Sequence, residues 1–151
     1  MEEVPVNTEA LTTQRRRFGM HPKLLLDVIR RQAGTLHKAI LEGVMNGVEA
    51  GATRVDVTYA DGKLRIVDDG RGITTALEVE QFFEKFGTPH EASEGKTWAQ
   101  FRMGRGQLFS FGRNVWRTGP FRMTVDVEKD GLDYDLAEGL APADGCAIEI
   151  D

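Results

Sequence analysis

The sequence predicts an α+β fold, a two-layer sandwich with helices packed on one face of a mixed, mainly antiparallel sheet. Three observations carry that expectation. Helical apolar periodicity lies in the first half of the chain. Two strand-like runs meet at Asp61-Gly62, a dipeptide that favours a hairpin turn. The last third alternates with the two-residue period of an antiparallel meander.

Residues 1–19 are polar, lack periodicity and end in Arg15-Arg16-Arg17. They are expected to form an arm, disordered or ordered by a partner. Residues 20–151 are expected to be the folded domain. Pro22 suits a first helical position, and Leu24, Leu25, Val28 and Ile29 give an apolar stripe ending near Ala33. Thr35 can cap a second helix that runs to about Ala50 and stops at Gly51. Its apolar face is expected to hold Leu36, Ala39, Ile40, Val44 and Val48. Val55, Val57 and Tyr59 then alternate with polar residues, and Lys63 to Asp68 form the return strand. Residues 74–86 are expected to be helical, burying Leu77, Val79, Phe82, Phe83 and Phe86. Residues 87–102 turn small and polar, a long connection of the functional or mobile kind. A short helix is expected over Gln107–Phe111. Strands follow at about 114–117, 121–128, 132–136 and 147–150.

The chain has 151 residues, enough for one core but not two. Its formal charge of -5 argues against direct DNA binding by this domain alone. The single cysteine, Cys146, permits no internal disulfide. His21, His37 and His90 form no metal-ligand motif. No apolar run is long enough to cross a bilayer, and the polar N-terminus does not read as a signal peptide, so the expected location is cytoplasmic.

Three constellations could carry chemistry. Glu42 and Asn46 are spaced i, i+4 and share one helix face, with Glu49 further along. A carboxylate can take a proton from water, and a carboxamide oxygen suits Mg²⁺. Taken alone, the pair reads as a solvated face. Gly43 and Gly47 weaken that reading, because each costs about 1 kcal/mol in a helix interior and so implies a close neighbour, an element or a ligand. The second constellation is Asp68-Asp69-Gly70-Arg71-Gly72-Ile73 at a strand end, where a carboxylate beside a tight turn can accept a hydrogen bond from an amino group. The third is Gly104-Arg105-Gly106 at a helix start, where backbone N–H groups can meet an anion. Several patterns fail. Gly95-Lys96-Thr97 lacks the earlier P-loop glycine, Gly104-x-Gly106 lacks the third glycine of the dinucleotide fingerprint, and His90-Glu91 lacks a second histidine at position 94.

The order of these pieces is more specific than any one of them. Glu-x-x-x-Asn on a helix, a hairpin, Asp-x-Gly-x-Gly, a small polar stretch and a glycine-rich helix start resemble the GHKL ATP-binding superfamily. That superfamily includes DNA gyrase, the ninety-kilodalton heat-shock chaperones, sensor histidine kinases and MutL. The run Ala50–Val57 is similar to MutL- and MORC-like members. The resemblance implies the Bergerat fold, with ATP and Mg²⁺ held between helices and sheet. It implies Glu42 as the base that activates water and Asn46 as the Mg²⁺ ligand. It implies that Asp68 receives the adenine amino group, in a pocket with Gly70, Gly72, Ile73 and Cys146. It implies an ATP lid over about residues 87–103, opening at Gly87-Thr88 and closing on Gly104, Arg105 and Gly106 against the phosphates. Relatives often carry a threonine where Cys146 follows Gly145.

Gyrase- and MutL-like enzymes continue into a domain that supplies a lysine to the terminal phosphate. The chain stops at Asp151, where the ATP-binding domain itself should finish, so it is expected to be either a fragment or a minimal stand-alone member, with hydrolysis then drawing on a protein partner or homodimer. The activity implied is slow ATP hydrolysis coupled to lid closure or association. The alternatives are a histidine-kinase-like phosphotransfer domain, which the run Phe82-Phe83-x-x-Phe86 loosely resembles, and a non-catalytic ATP-gated interaction module.

Overall fold

The computed structural model describes residues 11–19, 21–32, 34–84 and 104–151. Two helices come first, α1 (Pro22–Gln32) and α2 (Leu36–Glu49). Thr35 caps α2, its Oγ1 accepting the Lys38 N–H at 3.3 Å. The hairpin follows as β1 (Val55–Ala60) and β2 (Lys63–Asp68). Asp61 and Gly62 both have positive φ, 54° and 76°, as a tight two-residue hairpin turn requires. A helical turn α3 (Ala76–Glu78) runs into a π-helical turn at Val79–Glu84. The remaining elements are α4 (Gly104–Phe109), β3 (Asn114–Gly119), β4 (Phe121–Val125), α5 (Val127–Asp130), β5 (Tyr134–Ala137) and β6 (Ala143–Ile150).

The described strands form a six-stranded sheet in the order β1-β2-β6-β3-β4-β5. Every pairing is antiparallel, so the sheet is not mixed. The last strand inserts between β2 and β3, which joins the early hairpin to the late meander. The α+β class holds as expected, with the helices covering the face that carries the buried side chains.

Register arranges that face in rows. Leu64, Ile150, Asn114 and Val125 lie side by side across β2, β6, β3 and β4. Ile66, Ile148, Trp116 and Met123 form the next row, all buried. The third row is Asp68, Cys146, Thr118 and Phe121. Two rows are therefore almost wholly apolar, and the third places polar groups on the same covered face. Polar groups there need partners or a ligand. Asn114, fully buried in the first row, is satisfied within the fold: its Nδ2 donates to Leu108 O and Gly112 O, and its Oδ1 accepts from Trp116 Nε1. The reverse face carries Arg65, Arg122 and Glu149 and meets solvent.

Several elements differ from the sequence-based expectation. The buried face of α2 is Ala39, Gly43 and Gly47, whereas Leu36 and Val48 are exposed. Glycine lets the helix lie closer to the sheet than leucine or valine would. Leu24 and Leu77 are also exposed. The helix at 74–86 is only partly regular and relaxes into the wider π turn that seats Phe83 in the core. The strand expected over 121–128 ends at Val125, where Asp126 caps α5 by accepting the Lys129 N–H at 3.1 Å. Phe86 lies outside the described residues. Among the described residues no helix is long and apolar enough to cross a membrane.

Candidate functional site

The polar row is the floor of the candidate site. Asp68 ends β2 and is 7% exposed. Its Oδ1 accepts the Gly70 N–H at 2.9 Å. Burial lifts its carboxyl above the usual aspartate range. The backbone N–H groups of Gly70 and Cys146 pull the other way, and Asp69 adds a smaller upward push. A desolvated carboxylate of this kind gains from a further donor, such as an amino group.

Helix α2 crosses directly above. A Cβ placed on Gly47 would lie 2.9 Å from Val55 Cγ2 and 3.0 Å from Asp68 Cβ. The missing side chain is what lets Asp68 sit under the helix. Gly43 does the same over Ile66, whose Cδ1 would be 2.5 Å from an added Cβ. The close neighbour that these glycines implied is therefore β2.

The neighbouring wall is a knot of loops. Asp69 accepts from Thr53 N at 2.7 Å, Thr53 Oγ1 at 2.5 Å and Arg54 N at 2.9 Å, which ties the α2–β1 connection to the end of β2. The Thr53 hydroxyl, with the backbone donors, holds its carboxyl below the usual range. Arg71 N–H donates to Ala50 O at 2.9 Å. Gly72 has φ of 69°, and a Cβ there would fall 2.7 Å from both Gly145 O and Thr118 Oγ1. Only glycine fits that position. Adjacent Ile73 donates its N–H to Thr118 Oγ1 at 2.8 Å, and the Thr118 hydroxyl donates to Gly145 O at 2.9 Å.

Thr118 is a residue that the sequence reading missed. It is fully buried and lies opposite Cys146 in the ladder. A hydroxyl therefore stands one strand away from the position where Cys146 breaks the expected glycine-threonine pattern. The only signal in the sequence was a threonine at the end of a strand, before Gly119-Pro120. Burial pushes the Cys146 thiol up to about 12, and the nearby Asp68 carboxylate adds to the rise, which favours the neutral thiol at neutral pH.

Glu42 and Asn46 are half-buried on the flank of α2, as their spacing requires. Burial raises the Glu42 carboxyl above the usual glutamate range, and Glu49 adds to the rise. Helix α4, starting at Gly104, packs against α2. In α4, Gln107 Oε1 is buried without a hydrogen-bond partner among the described residues. Gly87, Thr88 and the rest of the expected lid at 87–103 lie outside the described residues.

Two other features have a packing explanation. Phe83 stacks edge-on against Phe109, Trp116 and Tyr134, with centroids 5.2–5.7 Å apart, and Phe82 lies under the Arg71 guanidinium at 5.9 Å. A cavity of about 250 Å³ opens beside that cluster, lined by Ile29, Phe83, Phe109, Val125, Leu132 and the hydrogen-bonded pair Tyr134 and Glu84. It lies toward the opposite end of the sheet from Asp68, and its apolar walls and carboxylate do not suit a phosphate.

Residues 34–116, more than half of the chain, match the family described as histidine kinase-, DNA gyrase B-, and HSP90-like ATPase. The chain belongs to this family. The GHKL resemblance read from the motifs and the fold they implied are thereby shown, and ATP binding is the property of the family that the match supports. No curated protein matches this GHKL-type domain significantly. Among solved structures it is similar to the N-terminal domain of a DNA repair protein, at 17% identity and a TM-score of 0.51. That likeness covers 83% of this chain and 40% of the other, so this chain spans less than half the length of that neighbour. At such identity the likeness concerns the fold alone.

Proposed function

We propose that the domain binds Mg²⁺-ATP over the Asp68 row and hydrolyses it slowly, with Glu42 as the base. The observation that carries this reading is the desolvated Asp68 carboxyl beneath the glycine notch of α2, with half-buried Glu42 and Asn46 on the same helix. Asp68 accepts the exocyclic amino group of adenine. Gly70, Gly72 and Ile73 form the loop beside the base, held in place by Thr118. The backbone of Gly104 to Gly106 meets the phosphates, and Arg105 adds positive charge.

The residues present fit magnesium. Among the described residues no group of three His, Cys, Asp or Glu is arranged to hold a metal by itself. A single amide oxygen from Asn46 suits an ion that takes its other ligands from phosphate and water. Asn46 would hold the ion, and magnesium when bound would offset phosphate charge. Glu42 orients a water and takes its proton as the water oxygen bonds to the γ-phosphorus and the bond to the bridging oxygen breaks, leaving ADP and phosphate. Its raised pKa makes it a stronger base than an exposed glutamate. Nucleotide binding is coupled to closure of residues 87–103 and to association with a partner or a second copy.

Calorimetry with ATP, with and without magnesium, followed by phosphate release, tests the reading. Glu42→Ala is expected to keep ATP binding and lose turnover. Asp68→Asn is expected to weaken binding by about tenfold or more, as for a lost charged hydrogen bond. Normal turnover by Glu42→Ala would sink the mechanism. Label retained on the protein after incubation with γ-labelled ATP would indicate phosphotransfer instead.

A further inference from the structure

The free edge of the sheet presents a second surface, independent of the nucleotide site. Among the described residues strand β1 is outermost and pairs with β2 alone. Asp69 N–H donates to Arg54 O, so these two residues form a hydrogen-bonded pair of the ladder. Alternation then turns the backbone groups of Asp56, Thr58 and Ala60 toward β2 and those of Val55, Val57 and Tyr59 outward. The same three side chains lie on the helix-side face, because Val55, Val57 and Tyr59 stand opposite Asp68, Ile66 and Leu64. Val57 is 41% exposed and Tyr59 68%. Proline, bulges, an inward charge or a very short strand usually protect such an edge. None is present in β1. The opposite edge, β5, has four residues, carries Asp135 and is followed by Glu138.

We propose that β1 pairs antiparallel with β1 of a second copy, about a two-fold axis at Val57. Symmetry restricts the register. An axis between two residues would require one pair to be both hydrogen-bonded and not, so a residue must face itself. An axis at Val57 sets Val57 against Val57 and Val55 against Tyr59. Every outward-facing residue of each strand then enters a hydrogen-bonded pair, and the apolar row runs unbroken across the seam. On the other face Asp56 meets Thr58 and Arg54 meets Ala60, so no like charges oppose. An axis at Asp56 would set that carboxylate against itself. An axis at Thr58 would set Val55 against Asp61, which belongs to the turn. Charge and register thus select a second copy of this strand and one alignment.

Sedimentation or light scattering of the full chain over a concentration series tests the seam. Val57→Lys opposes two like charges on the axis and is expected to weaken self-association by about tenfold or more. Val57→Glu should do the same, and an equal mixture of the two variants should recover the dimer. Both variants should keep the far-ultraviolet circular dichroism of the parent chain. A parent chain that stays monomeric up to about 1 mM would overturn the proposal, as would a dimer insensitive to Val57→Lys or a mixture that fails to recover. A dimer lost on deleting residues 1–19 but indifferent to Val57→Lys would assign the contact to the arm, and would also overturn it.

Discussion

Gly47→Ala is expected to cost stability, although the same change four residues earlier does not. In an open helix, glycine to alanine gains about 1 kcal/mol. At Gly43 the added Cβ meets Ile66 Cδ1, the far end of a flexible side chain, while the rest of Ile66 lies 3.8 Å away. A shifted Ile66 rotamer costs about 0.5–1.5 kcal/mol, so the net change there is about zero. At Gly47 the neighbours are Val55 Cγ2 at 2.9 Å and the Cβ and Cγ of Asp68 at 3.0 and 3.3 Å. Valine is stiff at χ1, and both residues are fixed by strand pairing. Overpacking against such groups costs about 1–3 kcal/mol, which leaves a net loss of about 1 kcal/mol. Urea denaturation should therefore show Gly47→Ala with a midpoint lower by about 0.5 M and Gly43→Ala close to the parent. Displacing the Asp68 carboxyl should also weaken ATP binding by about tenfold, measured by calorimetry. Equal stability of the two variants with unchanged ATP affinity in Gly47→Ala would refute the reasoning.

Further outcomes follow from the same contacts. The acid limb of the pH–rate profile should lie above the ordinary glutamate range, because burial raises Glu42 and only its ionised form accepts a proton. Glu49→Gln removes the second cause of that rise and should move the limb to lower pH. Asp69 behaves in the opposite sense. Its folded pKa is depressed, so its stabilising effect is complete above about 3.8 and is lost as pH falls through the folded value. The difference in denaturation midpoint between the parent and Asp69→Ala should thus shrink in that acid range. Gln107→Met removes a buried carbonyl that has no partner among the described residues, at nearly constant volume, and should raise stability by about 1 kcal/mol in thermal or urea unfolding.

The hairpin was legible because its information is local. Alternation and Asp61-Gly62 specify two strands and their turn without reference to the rest of the chain. The i, i+4 spacing of Glu42 and Asn46 and the glycines around Asp68 were legible for the same reason. The sheet order was not. Nothing in the local pattern of Ala143–Ile150 says that it leaves the meander and inserts between β2 and β3. That insertion sets Cys146 between Asp68 and Thr118 and makes the polar row.

By itself the sequence determined the α+β class and the family, since propensity and motif spacing are properties of short segments. The tertiary structure decided which face of α2 is buried, because backbone approach at Gly43 and Gly47 outweighs the apolar side chains beside them. It also decided that Thr118 locks the glycine loop, a contact between residues 45 positions apart that no window of sequence contains.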